Sequence, residues 1–158
     1  MPISDWSTVT LATYSDVTDR YARALELTDK TAVAEQQTEV TAYIARAKSY
    51  IGRKLDSSLQ SKFVQNENFT ATDDLKDYIA NPEKLKEACV AYTLYLLFEN
   101  NILNDQDFNY VMMDKFMKEF KSEYAMAVSI LRFDQDRDGS ISTAELQQGF
   151  GAGRLERA

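Results

Sequence analysis

A chain of 158 residues, 44% hydrophobic and 27% charged, suits a single domain and is long enough to bury a core without disulfide staples. Five Gly and two Pro exclude collagen-like, linker-like and most many-turned all-β designs, and the lack of any histidine removes Ser-His-Asp and Cys-His nucleophile systems and His-ligated zinc. Eighteen Lys+Arg against 25 Asp+Glu leave a net charge of −7, which argues against direct reading of DNA.

The basic residues (Arg46, Lys48, Arg53 and Lys54, then Lys84 and Lys86, then Lys115, Lys118 and Lys121) are scattered as on the wet faces of helices. No apolar run approaches the ~18 residues that span a bilayer. The opening MPISDWSTVT lacks the basic and apolar regions of a secretory signal. The single cysteine, Cys89, cannot close an intramolecular disulfide, so a reducing compartment and an inert core thiol are expected.

Residues 1–14 read as extended, with Trp6, Leu11 and Tyr14 as isolated anchors. Ser15 is a cap for a short helix over about 16–26, with Val17, Tyr21 and Ala24 on one side. From about 32 to 55, Val40, Ile44, Ala47, Ile51 and Leu55 form an apolar stripe at helical period. Residues 56–72 are polar with single hydrophobes (Leu59, Phe63, Val64, Phe69) and are expected to be a docked loop. Asn81 followed by Pro82 signals a helix start, a side-chain cap and then proline at the first helical position. The helix over 82–99, with Leu85, Cys89, Tyr92, Leu96 and Glu99 on one row and Ala88, Tyr95 and Leu97 widening the apolar arc, is the least polar and is expected at the centre of the core. Asn100, Asn101, Asn104 and Asp105 break the chain before a long helix over about 105–132. There Phe108, Met112, Phe116, Phe120, Tyr124 and Val128 recur every fourth residue, beside Val111, Ala127 and Leu131.

These stripes predict an all-α fold, a compact bundle of about four helices. They divide the chain into a helical part, 1–133, and a C-terminal part, 134–158. The latter opens with the one sharp motif. Asp134-Gln135-Asp136-Arg137-Asp138-Gly139-Ser140-Ile141-Ser142-Thr143-Ala144-Glu145 matches the EF-hand calcium loop. Calcium takes six to eight oxygens at about 2.3–2.6 Å, and the spacing supplies them. Asp134, Asp136 and Asp138 turn carboxylates inward, Gly139 makes the sharp bend, Ser140 offers its carbonyl, Ser142 acts directly or through water, and Glu145 brings two oxygens. Four carboxylates in twelve residues repel one another without a cation, whereas the competing reading is only an Asp-rich turn. Ile130 and Phe133 before the loop, and Leu146 and Phe150 after it, are expected to pack inward; Ile141 sits where paired hands form a short strand. No second loop is present, and Gly149, Gly151 and Gly153 cut the exit helix short. A structural Ca²⁺ is therefore expected, rather than an opening sensor. An extended tail, GAGRLERA, follows.

With the helices placed, YSDVTDRYARAL, TAYIARAKSYIGRKL and EACVAYTLYLLFENN resemble the head–tail connector proteins (adaptors, or head-completion proteins) of tailed bacteriophages. The likeness covers roughly residues 11–130 and is one of helix order and spacing. It implies a non-enzymatic structural protein of the virion neck, made in the host cytoplasm. Copies would form a homo-oligomeric ring, expected as a dodecamer, between the portal protein and the tail or neck proteins. DNA would pass through its channel without sequence-specific binding and without a membrane. The EF-hand-like loop lies outside the family's general pattern, and the alternative is a single EF-hand calcium-binding module acting as monomer or dimer.

Overall fold

The apolar stripes meet around one buried helix in the computed structural model, which describes residues 2–63, 74–102 and 107–148. Five α-helices are present among these residues: α1 (Tyr14–Arg20), α2 (Val33–Phe63), α3 (Lys86–Glu99), α4 (Phe108–Ile130) and α5 (Thr143–Gln148). Short 3₁₀ turns at Ala24–Leu27, Leu75–Tyr78 and Pro82–Leu85 connect them. No strand is assigned among the described residues, only an isolated antiparallel bridge between Ile79 and Phe133. The chain is all-α.

The N-terminal segment is better anchored than its composition suggests. Trp6 and Leu11 are buried, and Ser4 N donates to Asp77 O at 2.9 Å while Trp6 N donates to Asp77 Oδ1 at 2.8 Å. Tyr14 is instead exposed. The cap of α1 is Thr13, not Ser15. Thr13 and Asp16 form a reciprocal capping box, which satisfies two backbone donors at once. This helix also ends at Arg20, six residues earlier than expected, and the chain resumes as the turn Ala24–Leu27. Val17 and Ala24 are nevertheless fully buried.

All five stripe residues of α2 (Val40, Ile44, Ala47, Ile51 and Leu55) are buried. The helix does not stop there. It continues to Phe63, so residues 56–63 are helix rather than loop. Leu59, one more step of four along the stripe, is fully buried. The rest of the expected loop, with Val64 and Phe69, lies outside the described residues. Gly52 lets the chain's only tryptophan pack on α2: a Cβ there would lie 2.9 Å from Trp6 Nε1 and 3.2 Å from Lys76 Cδ. Gly52→Ala is expected to displace the indole despite the better helix propensity of alanine. The check is tryptophan emission, which should shift to the red as buried Trp6 meets water.

Helix α3 is the centre of the core, with ten of its residues buried, and α2 and α4 pack against it. Phe98 stacks on Phe116 at 5.7 Å between ring centroids, and Tyr92 meets Phe120 at 4.9 Å. Cys89 is buried, and burial pushes its thiol up to about 12. That is the environment of an unreactive thiol. Thr93, also buried, satisfies its hydroxyl by donating to Cys89 O at 2.8 Å. Along α4, Phe116, Phe120, Tyr124 and Ala127 face inward, but Phe108 and Val111 are about three-fifths exposed (61% and 60%). Asn104 and Asp105 lie outside the described residues.

Candidate metal centre

The acidic loop is built at the end of α4, and a distant side chain determines how the chain reaches it. Asn81 was expected to cap the helix after Pro82, but its side chain makes no cap bond there. It reaches across instead: Nδ2 donates to Ile130 O at 3.0 Å, and Oδ1 accepts from Arg132 N at 2.7 Å. Ala80 N donates to Arg132 O, and Asp134 N donates to Tyr78 O, both at 2.9 Å. These bonds peel the chain off the helix, so α4 ends at Ile130 and Leu131 is already extended. The loop is therefore approached by an extended segment, not by a helix running into it. Phe133 and Leu131 pack inward, whereas Ile130 is exposed (55%), contrary to the sequence reading. Phe133, rather than Ile141, forms the short bridge, and its partner is Ile79 of the same chain. The Leu146 side chain and Phe150 lie outside the described residues, as does the tail.

Within the loop, local backbone donors turn each carboxylate. Gly139 N donates to Asp134 Oδ2 at 2.9 Å, Asp138 N to Asp136 Oδ1 at 3.2 Å, and Ser140 N to Asp138 Oδ1 at 2.8 Å. Two residues with positive φ, Arg137 at 62° and Gly139 at 87°, make the tight winding possible. Glycine adopts that region without steric penalty. Arg137 is held on Tyr78, its guanidinium carbon 4.7 Å from the ring centroid and Nη2 donating to the hydroxyl. As a result Asp134, Asp136 and Asp138 bring one carboxylate oxygen each to within 4.8 Å of one another.

Asp134 decides what this group can do. It is fully buried, and its Oδ1 has no hydrogen-bond partner. Burial raises the Asp134 carboxyl above the usual carboxylate range, the Gly139 N–H opposes this, and nearby Asp136 and Glu145 push the same way as burial. A buried anionic oxygen without a donor costs free energy, and a cation removes that cost. The residues fit a hard, oxygen-loving cation such as Ca²⁺.

Glu145 and Ser142 stand differently from the three aspartates. Glu145 is buried (8% exposed), and its Oε1 accepts from Gln135 N at 2.6 Å while Oε2 accepts from Ser142 N at 2.7 Å. Burial raises its carboxyl, but the N–H groups of Ser142 and Gln135 outweigh it and hold the pKa below the usual value. Ser142 Oγ in turn accepts from Glu145 N at 3.3 Å, making a capping box that starts α5. Glu145 is thus placed in the loop but is engaged with backbone donors, and it is not among the three gathered carboxylates. The Ser140 hydroxyl bonds Asp138 Oδ1 at 2.7 Å, leaving the residue's carbonyl as its candidate ligand.

A second feature escaped the sequence reading. Arg46 and Arg53, taken as wet-face residues of α2, line a concavity of about 590 Å³ with Trp6, Tyr50, Tyr92 and Leu96. No sequence signal joins Trp6 and Leu96 to this face of α2, because only tertiary packing does so. No helix among the described residues is long and apolar enough to cross a membrane. Comparison with known protein families, curated proteins and solved structures finds no match.

Proposed function

We propose that this chain is a non-enzymatic structural protein of the head–tail connector type, forming a homo-oligomeric ring between portal and tail through which DNA passes. Helix order carries the reading: a short capped first helix, a long helix, a buried apolar helix and a long closing helix occur in the sequence of the resemblance. Apolar side chains left exposed along α4, Phe108, Val111, Met126 and Ile130, suit contact between copies, since such surface tends to mark interfaces. The net charge of −7 suits a channel that must not grip phosphate. Electron microscopy of the chain mixed with its portal protein should reveal rings on the portal. A chain that stays monomeric or dimeric in that mixture would overturn the connector reading.

Calcium belongs to the same proposal as a structural ion. Asp134, Asp136 and Asp138 would hold it by side chain and Ser140 by its carbonyl, with Glu145 and Ser142 completing the set. The ion would neutralise mutual repulsion and fix the loop onto the 78–81 segment. The orphaned Oδ1 of Asp134 also favours the second reading, a single calcium-binding module acting as monomer or dimer. Particle size with portal present separates the two.

A further inference from the structure

The concavity beside α2 has a chemistry of its own. Trp6, Leu96 and the parallel-stacked pair Tyr50 and Tyr92, 4.2 Å apart with planes 5° from parallel, give it apolar walls. Arg46 and Arg53 stand on its edge. Seven residues at 1.5 Å rise separate the two arginines by about 10.5 Å along the helix axis, on nearly the same face. Neither guanidinium has an ion pair or hydrogen bond among the described residues. Arg46 is only placed over the Tyr43 ring, at 5.0 Å. The third cation, Lys76, is already neutralised by Asp56 at 2.8 Å and Asp74 at 3.0 Å. The nearby Glu99 carboxylate accepts from Tyr95 at 3.2 Å. No carboxylate lines the concavity. A chain of net charge −7 thus keeps two uncompensated positive charges beside an aromatic hollow.

We propose that this concavity binds an acidic, amphipathic helical segment of a partner protein, its carboxylates on Arg46 and Arg53 and an apolar side chain in the hollow. Two features of the concavity select this occupant. First, carboxylates seven residues apart on a helix have the same spacing as the two arginines. Arginine's planar fork suits carboxylates, which it can engage by two hydrogen bonds. Second, the walls are apolar and aromatic, as in sites that receive an amphipathic helix. Nucleic acid fits less well, because a polyanion must approach an acidic chain at a site where two of the lining cations, Arg46 and Arg53, are left to neutralise its phosphates.

The test uses the full-length chain and a fluorescein-labelled alanine-rich helical peptide carrying two Glu seven residues apart with two Leu between them. Counterparts carry Gln or Lys in place of Glu, and fluorescence polarisation reads binding. The Glu peptide is expected to bind about tenfold or more tightly than the Gln peptide, as close charge pairs across an interface do. The double variant R46E/R53E should lose that preference and favour the Lys peptide. Both arginines are exposed, and an unchanged circular dichroism spectrum certifies the fold; R46Q/R53Q, which should abolish the Glu preference, serves if the reversal misfolds. Equal affinity for the Glu and Gln peptides would overturn the proposal, as would an unaltered preference in the variants. Tighter binding of a labelled oligothymidylate than of the Glu peptide would reassign the site to nucleic acid.

Discussion

Replacing Phe98 with alanine is expected to destabilise the fold by about 3–5 kcal/mol, the range for truncating a buried aromatic. The side chain is fully buried. It stacks on Phe116 and meets Tyr21 edge-on at 5.2 Å and Phe108 at 6.4 Å. Such pairs add about 0.5–1.5 kcal/mol beyond area burial, and α1, α3 and α4 all border the hole that would form. In a chain this long each kcal/mol lowers Tm by about 2–4 °C, so a fall of roughly 10 °C is expected by differential scanning calorimetry. Phe108→Ala is the matched control. Phe108 touches the same ring but is 61% exposed, so its loss should move stability by about 0.5 kcal/mol or less. If Phe108 lies between copies, its removal should weaken the assembly instead. Equal thermal losses for the two variants would contradict the packing described.

The contrast between these two residues shows what the sequence could reveal. Phe108 belongs to an apolar stripe at helical period, whereas Phe98 lies off the rows read along α3 and is buried because neighbours cover that helix on several sides; periodicity marks the face of a helix that can turn inward. It does not reveal how far the neighbouring helix extends. Phe108, in the first turn of α4, touches Phe98 near the end of α3 and still keeps 61% of its surface exposed. The polar stretch after Leu55 failed in the opposite direction. Isolated hydrophobes looked like loop anchors, yet Leu59 continues the four-residue step and sustains α2 to Phe63. At the acidic loop, the three aspartates and Gly139 were legible because their geometry depends on donors within five residues. The extended approach was not. It depends on Asn81, whose side chain binds Arg132 N, 51 residues away.

Calcium is expected to raise the melting temperature of the wild-type chain, and two loop variants should separate ligation from folding. A ligand that binds only the folded state adds RT ln(1 + [L]/Kd), about 2.7 kcal/mol at a hundredfold excess over Kd. For a chain of this size that corresponds to roughly 5–11 °C. Magnesium should substitute poorly, since it demands tighter octahedral geometry and releases its water reluctantly. Asp134→Asn removes one of the crowded charges and leaves a side-chain oxygen able to accept from Gly139 N. Without calcium its Tm should equal or exceed that of the wild type, because the buried Oδ1 has no donor to lose. With calcium the shift should largely vanish. Glu145→Gln should behave differently. Its carboxylate accepts from the backbone N–H groups of Gln135, at 2.6 Å, and Ser142, at 2.7 Å, and hydrogen bonds to charged groups contribute about 1.5–3 kcal/mol. The metal-free variant should therefore melt several degrees lower, and its calcium response should also shrink, because binding through Glu145 exchanges those backbone bonds for the ion. Ser142→Ala should affect calcium affinity less than either, as its hydroxyl chiefly caps α5. Isothermal titration of chelator-treated protein measures binding directly, and scanning calorimetry measures the shifts. No heat of binding at millimolar calcium, together with an unchanged Tm, would reduce the loop to an Asp-rich turn carrying an unrelieved buried charge.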